Sequence, residues 1–349
     1  MKQAIWTKSR KNIILADCTF KSDDEFKSGL ESSLGLKFEC YSCVCNKHGG
    51  LNDVKRLLTY IFYPLKFVFR RNSYEYVIGW QQFFALFYCF WSRVFHLKKC
   101  NIVVAANFTY KKKKGIIGLI YKKVMEFVIC SKYLDYLHVP SQNYADLCSK
   151  EFSLNRNKFI VAHFGIDDIN SSLYDLPVEY NNYSFSIGRS NRDYDWLANL
   201  WGGGAKSKSL LVIASDTWEP KKKLPTNVVH RRDIKGLDQY MYIVNAEQII
   251  IPIDNGNICS GDTVLLTSMA LSKLVFVSAP STLSEMYIND GVDGVYFQKN
   301  SDELLAKIEY YRSHPDQANK IKKKAREKFL EKYTRYNLGL KMGDSIKTR

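Results

Sequence analysis

Short apolar runs separated by polar turns recur along the chain, and most are too short for a helix and rich enough in β-branched residues to be buried strands. In the first half these are Asn12–Cys18, Asn101–Ala106, Leu137–Pro140 and Phe159–Ala162; in the second, Tyr183–Ile187, Leu210–Ala214, Val228–Val229, Ile249–Ile253 and Leu274–Ser278. Apolar residues at helical spacing lie between them in Ile116–Cys130, Gln142–Phe152 behind a capping Ser141, and Val264–Leu271, with Asp302–Arg312 and Pro315–Tyr333 near the end. Strands alternating with helices predict an α/β fold built on parallel sheets.

Two aromatic-rich segments, Leu57–Arg71 and Phe83–Lys99, end in basic residues. Pro64, Lys66 and Arg93 interrupt them well short of the roughly 20 apolar residues a membrane span needs. They are expected either to pack on the first sheet or to lie in the headgroup region of a membrane.

At 349 residues the chain exceeds what one core serves, so two Rossmann-like domains are expected, residues 1–175 and 180–330, with the polar stretch Ile169–Asn182 as linker and 331–349 as a tail. The net charge of +16 implies an anionic partner, either a phosphorylated substrate, an anionic membrane surface or nucleic acid. The lysine runs at 111–114, 221–223 and 322–324 are scattered and no nucleic-acid reading module accompanies them, which argues against the last. Met1–Arg10 is polar and basic, unlike a secretory leader, so a cytoplasmic location is expected, with contact at the inner face of the membrane. Nine cysteines, an odd number, fit reduced thiols. Cys40, Cys43, Cys45 and His48 lack a second Cys-x-x-Cys and read as strand residues rather than zinc ligands.

The chemistry concentrates in the second half. Ile249–Ile253, the turn Ser260-Gly261-Asp262-Thr263, the helix Val264–Leu271 and the strand Leu274–Ser278 form a βαβ crossover whose helix start can seat a phosphate. Gly188-Arg189-Ser190 follows another strand, where glycine lets the backbone approach a ligand and arginine can grip a diphosphate at two points. In the first half Asn107 and the basic loop Lys111–Lys114 follow the strand Asn101–Ala106, at the end where open α/β sheets bind ligands. Asp193-Tyr194-Asp195 matches the DxD pattern of metal-dependent nucleotide-sugar enzymes, but it also falls at a helix start, where acids suit the dipole.

Ser260–Phe297, together with Tyr136–Asp167, Ser186–Ser190 and Asp302–Tyr333, resembles family 4-type glycosyltransferases of GT-B fold, of the kind that build bacterial surface polysaccharides. The resemblance covers most of residues 130–335. It implies two Rossmann-like domains facing across a cleft, with the acceptor on the first, the nucleotide diphosphate sugar on the second, and the tail returning to the first. It also implies retention of configuration; arginine and helix-start amides can stabilise the leaving diphosphate without a metal, and no cofactor beyond the donor itself is expected. His230 and Arg231 stand where the nucleotide base would lie, and Arg192 is nearest the position of the family's second basic residue. The family's two glutamates are replaced by Cys259 and Thr267, which implies either that sugar recognition uses neighbours such as Asp254, Asn255 or Asp262 or that the enzyme is unusual or impaired. Arg189, Asp262 and Asn107 are the residues assigned to the reaction, with Gly188, Ser190, Arg192, His230, Arg231, Asp254, Ser260, Gly261 and Thr263 completing the donor site. A glycan or polyprenyl-linked acceptor is expected. The alternatives are a metal-dependent transferase using Asp193 and Asp195, or a non-catalytic membrane or nucleic-acid binding protein.

Overall fold

A computed structural model describes residues 10–21, 23–44, 50–203, 209–258, 260–299 and 301–348. The chain forms two compact units: one runs to Phe164 and resumes at Arg335, and the other is Gly165–Thr334.

In the first unit the order is β1 (Lys11–Ala16), α1 (Glu25–Leu34), β2 (Phe38–Ser42), α2 (Leu51–Phe62), α3 (Leu65–Val68), β3 (Tyr74–Gly79), α4 (Gln82–Val94), β4 (Ile102–Ala105), α5 (Gly115–Ile129), β5 (Tyr136–Val139), α6 (Gln142–Phe152) and β6 (Phe159–Val161). The sheet is parallel throughout, in the order β2-β1-β3-β4-β5-β6, with Ile14 opposite both Cys40 and Ile78. Period-two alternation divides its core. Ile13, Leu15, Val77 and Val103 pack against Phe84, Tyr88, Met125 and Ile129 from α4 and α5, while Ile14, Ile78, Val104 and Ile160 face the other layer.

The second unit contains β7 (Tyr183–Ile187), α7 (Tyr194–Gly202), β8 (Leu210–Ala214), β9 (Val228–Arg231), α8 (Asp238–Asn245), β10 (Gln248–Ile251), α9 (Asp262–Ala270), β11 (Leu274–Ser278), α10 (Thr282–Tyr287), β12 (Val295–Phe297), α11 (Ser301–Ser313) and α12 (Pro315–Lys332). Its parallel sheet runs β12-β11-β10-β7-β8-β9, so the order reverses between β7 and β10. In the first sheet the reversal falls between β1 and β3.

The expected α/β architecture with parallel sheets is present. Apolar patterning did not anticipate β3, β12 or α8. The first aromatic-rich segment breaks at Pro64 into α2 and α3, and among the described residues no helix is long and apolar enough to cross a membrane. Cys40 packs at the edge of the first unit's core and Cys43 against its other face; Cys45 and His48 lie outside the described residues.

The last helix, α13 (Arg335–Lys347), completes the first unit by packing along α1. Asp24 caps α1 by accepting from the Lys27 amide and pairs at 2.8 Å with Arg335, whose guanidinium also covers the Trp80 ring. The two helices meet through small residues: a methyl added at Gly29 would overlap the Tyr336 carbonyl, and one at Gly339 the Phe26 carbonyl. Backbone cannot move aside as a flexible side chain would, so Gly339→Ala is expected to cost about 1 to 3 kcal/mol. A thermal melt checks this, at roughly 2 to 4 °C per kcal/mol for domains of this size. An unchanged melting temperature would mean the helices do not touch there.

Candidate functional site

The reversal between β7 and β10 opens a cavity of about 510 Å³ in the second unit. Chains leaving two adjacent strands in opposite directions expose strand ends and helix starts together, so ligands bind at such points. Here Gly188, Arg189, Ser190 and Arg192 enter from beyond β7, Ser215 and Asp216 from beyond β8, Lys235 and Gly236 from the approach to α8, Gln239 from its first turn, and Gly261, Asp262, Thr263 and Val264 from the start of α9.

Arg192 occupies the centre of this arrangement. A Cβ at Gly188 would lie 3.0 Å from its Nε, and one at Gly261 would lie 2.9 Å from its Nη2. Both glycines also have positive φ, 151° and 101°, which side chains resist. The guanidinium donates through Nη1 to the carbonyls of Ser190 (3.1 Å) and Asn191 (3.3 Å), and its buried Nε has no hydrogen-bond partner among the described residues. Burial pulls its pKa below the ordinary arginine value, an effect that the nearby Tyr194 and Asp262 offset in part. Arginine stays charged even so.

Helix α9 begins at Gly261 with no side chain capping its first turn. Uncapped amides and the dipole attract an anion there. The two loops are bolted together by Asn191, itself at φ 55°: its amide nitrogen donates to the Asn255 carbonyl (3.0 Å) and Ser260 Oγ (2.8 Å), and its oxygen accepts from the Asn255 amide (2.7 Å). At the outer edge Arg189 is 73% exposed and held by Asp216 at 2.9 Å, with Lys235 3.9 Å from the same carboxylate. Three cations face two carboxylates, so the cavity favours an anion.

The cavity thus gathers Gly188, Arg189, Ser190, Arg192, Gly261, Asp262 and Thr263. Ser260 braces Asn191 from outside the lining. His230 and Arg231 do not line it. The His230 Nε2–H donates to the Ser215 carbonyl (2.9 Å) and its ring meets Trp218, while Arg231 is held by Glu179, Asp233 and Tyr180. Asp254 is exposed, 3.9 Å from Lys299. Thr267 is buried within α9, and Cys259 lies outside the described residues. Asn107 belongs to the first unit. Ser215, Asp216, Lys235, Gly236 and Gln239 were missed, although Asp216 could have been found from its place just past the buried run Leu210–Ala214.

The DxD carboxylates are already engaged. Asp193 caps α7 through the Trp196 amide and pairs with Lys299 at 2.8 Å; Asp195 pairs with Lys221 at 3.1 Å. Among the described residues no group of three or more His, Cys, Asp or Glu could hold a metal ion.

A family model described as glycosyl transferase-like matches residues 192–337, which include most of this cavity. Solved structures of low identity share the fold over nearly the whole chain. A glycosyltransferase from Rickettsia africae is 15% identical with a TM-score of 0.61, covering 97% of each chain. HepE from Anabaena, in complex with UDP and glucose, is 11% identical with a TM-score of 0.62, covering 97% of this chain and 100% of its own. WaaG, a glycosyltransferase involved in lipopolysaccharide biosynthesis, is 14% identical with a TM-score of 0.58, covering 95% and 98%. No curated protein matches the sequence. The chain has the GT-B fold of these solved structures over nearly its whole length. The resemblance to family 4-type enzymes read from the sequence agrees with these findings.

Within the cavity Arg192, rather than the exposed Arg189, is the buried guanidinium beside the start of α9 and so is the one placed to meet an anion. Hydrogen bonds to a charged group contribute about 1.5 to 3 kcal/mol each. Arg192→Ala is therefore expected to abolish most of the melting-temperature rise produced by inorganic diphosphate, while Arg189→Ala reduces it only in part. Equal losses in the two variants, or an undiminished rise in Arg192→Ala, would reverse the assignment.

Proposed function

We propose that the protein transfers a sugar from a nucleotide diphosphate sugar to a glycan or lipid-linked acceptor, with retention and without a metal, in surface polysaccharide synthesis. The observation that carries this reading is the buried Arg192 guanidinium, with its unpartnered Nε, beside the uncapped start of α9. As the bond from the sugar's anomeric carbon to the diphosphate breaks, negative charge grows on the departing oxygen. Fixed donors aimed at that charge stabilise it more in the transition state than in the ground state. The acceptor oxygen forms the new bond at the anomeric carbon. Under retention it approaches from the leaving group's side, where the departing phosphate oxygen can take its proton. The complexes of HepE with UDP and with UDP-glucose support uridine diphosphate as the first nucleotide to test, and WaaG's part in lipopolysaccharide biosynthesis supports a polysaccharide context.

Metal independence rests on the engaged DxD pair, since a cation there would have to displace both Lys299 and Lys221. Transfer from a UDP-sugar is expected to persist in excess chelator, with the anomeric configuration of the product, read by NMR, matching the donor. Loss of activity on chelation and recovery with manganese would favour the metal-dependent alternative, and an inverted product would remove retention.

The exposed residues of the first unit support a membrane-facing surface. Leu51, Val54, Leu58 and Phe62 are exposed along one side of α2, and Ile116, Ile117, Leu119 and Ile120 at the start of α5. Both helices pack on α4, and ring contacts from Phe62 through Trp91 and Phe90 to Phe127 connect them. Lys111–Lys114 are exposed immediately before α5. Apolar insertion and attraction to anionic headgroups act together on such a surface, at about 1 kcal/mol per basic residue near the lipid. In vesicle flotation the protein is expected to rise with anionic vesicles at low salt, and replacing Lys111–Lys114 with glutamine should weaken this. Equal recovery in the soluble fraction with and without anionic lipid would exclude the surface.

A further inference from the structure

The first sheet has its own reversal, between β1 and β3, and a second cavity of about 380 Å³ opens there. Its volume falls in the range of about 300 to 1,000 Å³ typical of small-molecule pockets. Asp17 enters from the end of β1, Trp80 and Gln81 from the end of β3, Asn107 from beyond β4, and Tyr60 from α2.

These groups are held in place by contacts that leave acceptor oxygens over. One Asp17 oxygen accepts from Gln81 Nε2 (2.8 Å) and from the Tyr60 hydroxyl (3.2 Å); the other accepts nothing from the described residues. The Tyr60 ring in turn stacks on Phe83, which also lines the cavity. Trp80 is backed by the Arg335 guanidinium and the ring of Phe26. Asn107 adopts φ 52°, a conformation asparagine accepts more readily than most residues, and its buried Oδ1 has no hydrogen-bond partner among the described residues. What holds it there is His138, whose Nδ1 accepts the Asn107 amide (3.0 Å) while its Nε2–H donates to the Ala162 carbonyl (2.9 Å). Burial lowers the His138 pKa to about 4, which keeps the acceptor nitrogen unprotonated at neutral pH.

We infer that this cavity binds a neutral sugar ring, with Asp17 and Asn107 accepting its hydroxyl hydrogens and an aromatic wall covering its apolar face. The inference rests on the glycosyltransferase reading and deepens it, since the bound ring would be the acceptor's. The lining decides against an anion: its one basic residue, Arg56, pairs with Asp53 at 2.9 Å. Acceptor-only carboxylates and amide oxygens suit ligands rich in O–H donors. Aromatic rings supply apolar area at little entropic cost. The second unit's cavity has the opposite balance, with arginine, lysine and helix amides. His138 acts here as a positioning residue through Asn107.

The test uses saturation-transfer NMR on the full chain with methyl glycosides of glucose, galactose, mannose, rhamnose and N-acetylglucosamine, with and without UDP, and with inorganic phosphate as an anionic competitor. At least one glycoside is expected to give a signal that persists with UDP, is not displaced by phosphate, and falls at least fivefold in both Asp17→Ala and Asn107→Ala. Asp17→Asn, which keeps an acceptor for Gln81, should fall between them and the wild type and guards against simple misfolding. The UDP-induced melting shift should be that of the wild type in all three, so a failed donor site and a failed sugar site are told apart. No signal from any glycoside, displacement by phosphate, or full binding by Asp17→Ala in a protein that still responds to UDP would overturn the assignment.

Discussion

The second unit's site depends on one packing constraint, a charged guanidinium threaded between two backbone turns. Burying a cation is costly unless it is paired or given hydrogen-bond acceptors. Arg192 receives two carbonyls on one side and the field of Asp262, and retains an unsatisfied Nε on the other. On the proposed function, an anion in the cavity supplies the missing partner. The guanidinium also dictates the neighbouring residues. Gly188 and Gly261 cannot carry side chains without meeting the guanidinium, and Asn191 must take a left-handed conformation to tie the β7 loop to the approach to α9.

The same topological device appears twice with different linings. Each parallel sheet reverses its strand order once, and each reversal carries a cavity at the carboxyl ends of the flanking strands. Topology supplies the location and leaves the chemistry to a few loop residues. In one unit these are arginine, lysine and uncapped helix amides; in the other, carboxylate, amide and aromatic rings. The helices that cover the first sheet are also divided, with α1 and α13 sealing one face through glycine contacts while α2 and α5 leave apolar residues exposed on the other.

How much of this the sequence revealed follows from how local each signal is. The crossover from β10 through α9 to β11 was legible because apolar runs, a glycine turn and helical spacing all fall within about 30 adjacent residues. Gly188 and Arg189 were legible as a strand followed by a glycine. The ranking of the arginines was not, since exposure of Arg189 and burial of Arg192 depend on Asp216 and Gly261, distant in sequence from both. The first unit's cavity was hidden for a related reason. Strand β3 was overlooked between two aromatic-rich helices, and with it Trp80 and Gln81; Asn107 alone carried the reading there. His230 and Arg231 were placed by resemblance, and the structure spends both on structural partners.

Thr267, which stands where the resembled family carries a glutamate, also has a physical setting. Thr267 sits among Leu265, Leu266, Ser268, Met269 and Ala270, all buried, on a helix packed against both β11 and α12. A carboxylate at that position would need a compensating partner at the cost of desolvation, whereas threonine fits with little polar surface. Removing charge from the middle of α9 leaves carboxylates on the cavity wall only at its start, in Asp262, and across from it in Asp216. Asp216 is engaged by Arg189 and stands near Lys235, so it neutralises part of the cationic edge. Asp262 is the carboxylate set beside Arg192 and the helix amides, so it, rather than a group in the middle of the helix, carries the acidic charge next to the buried guanidinium.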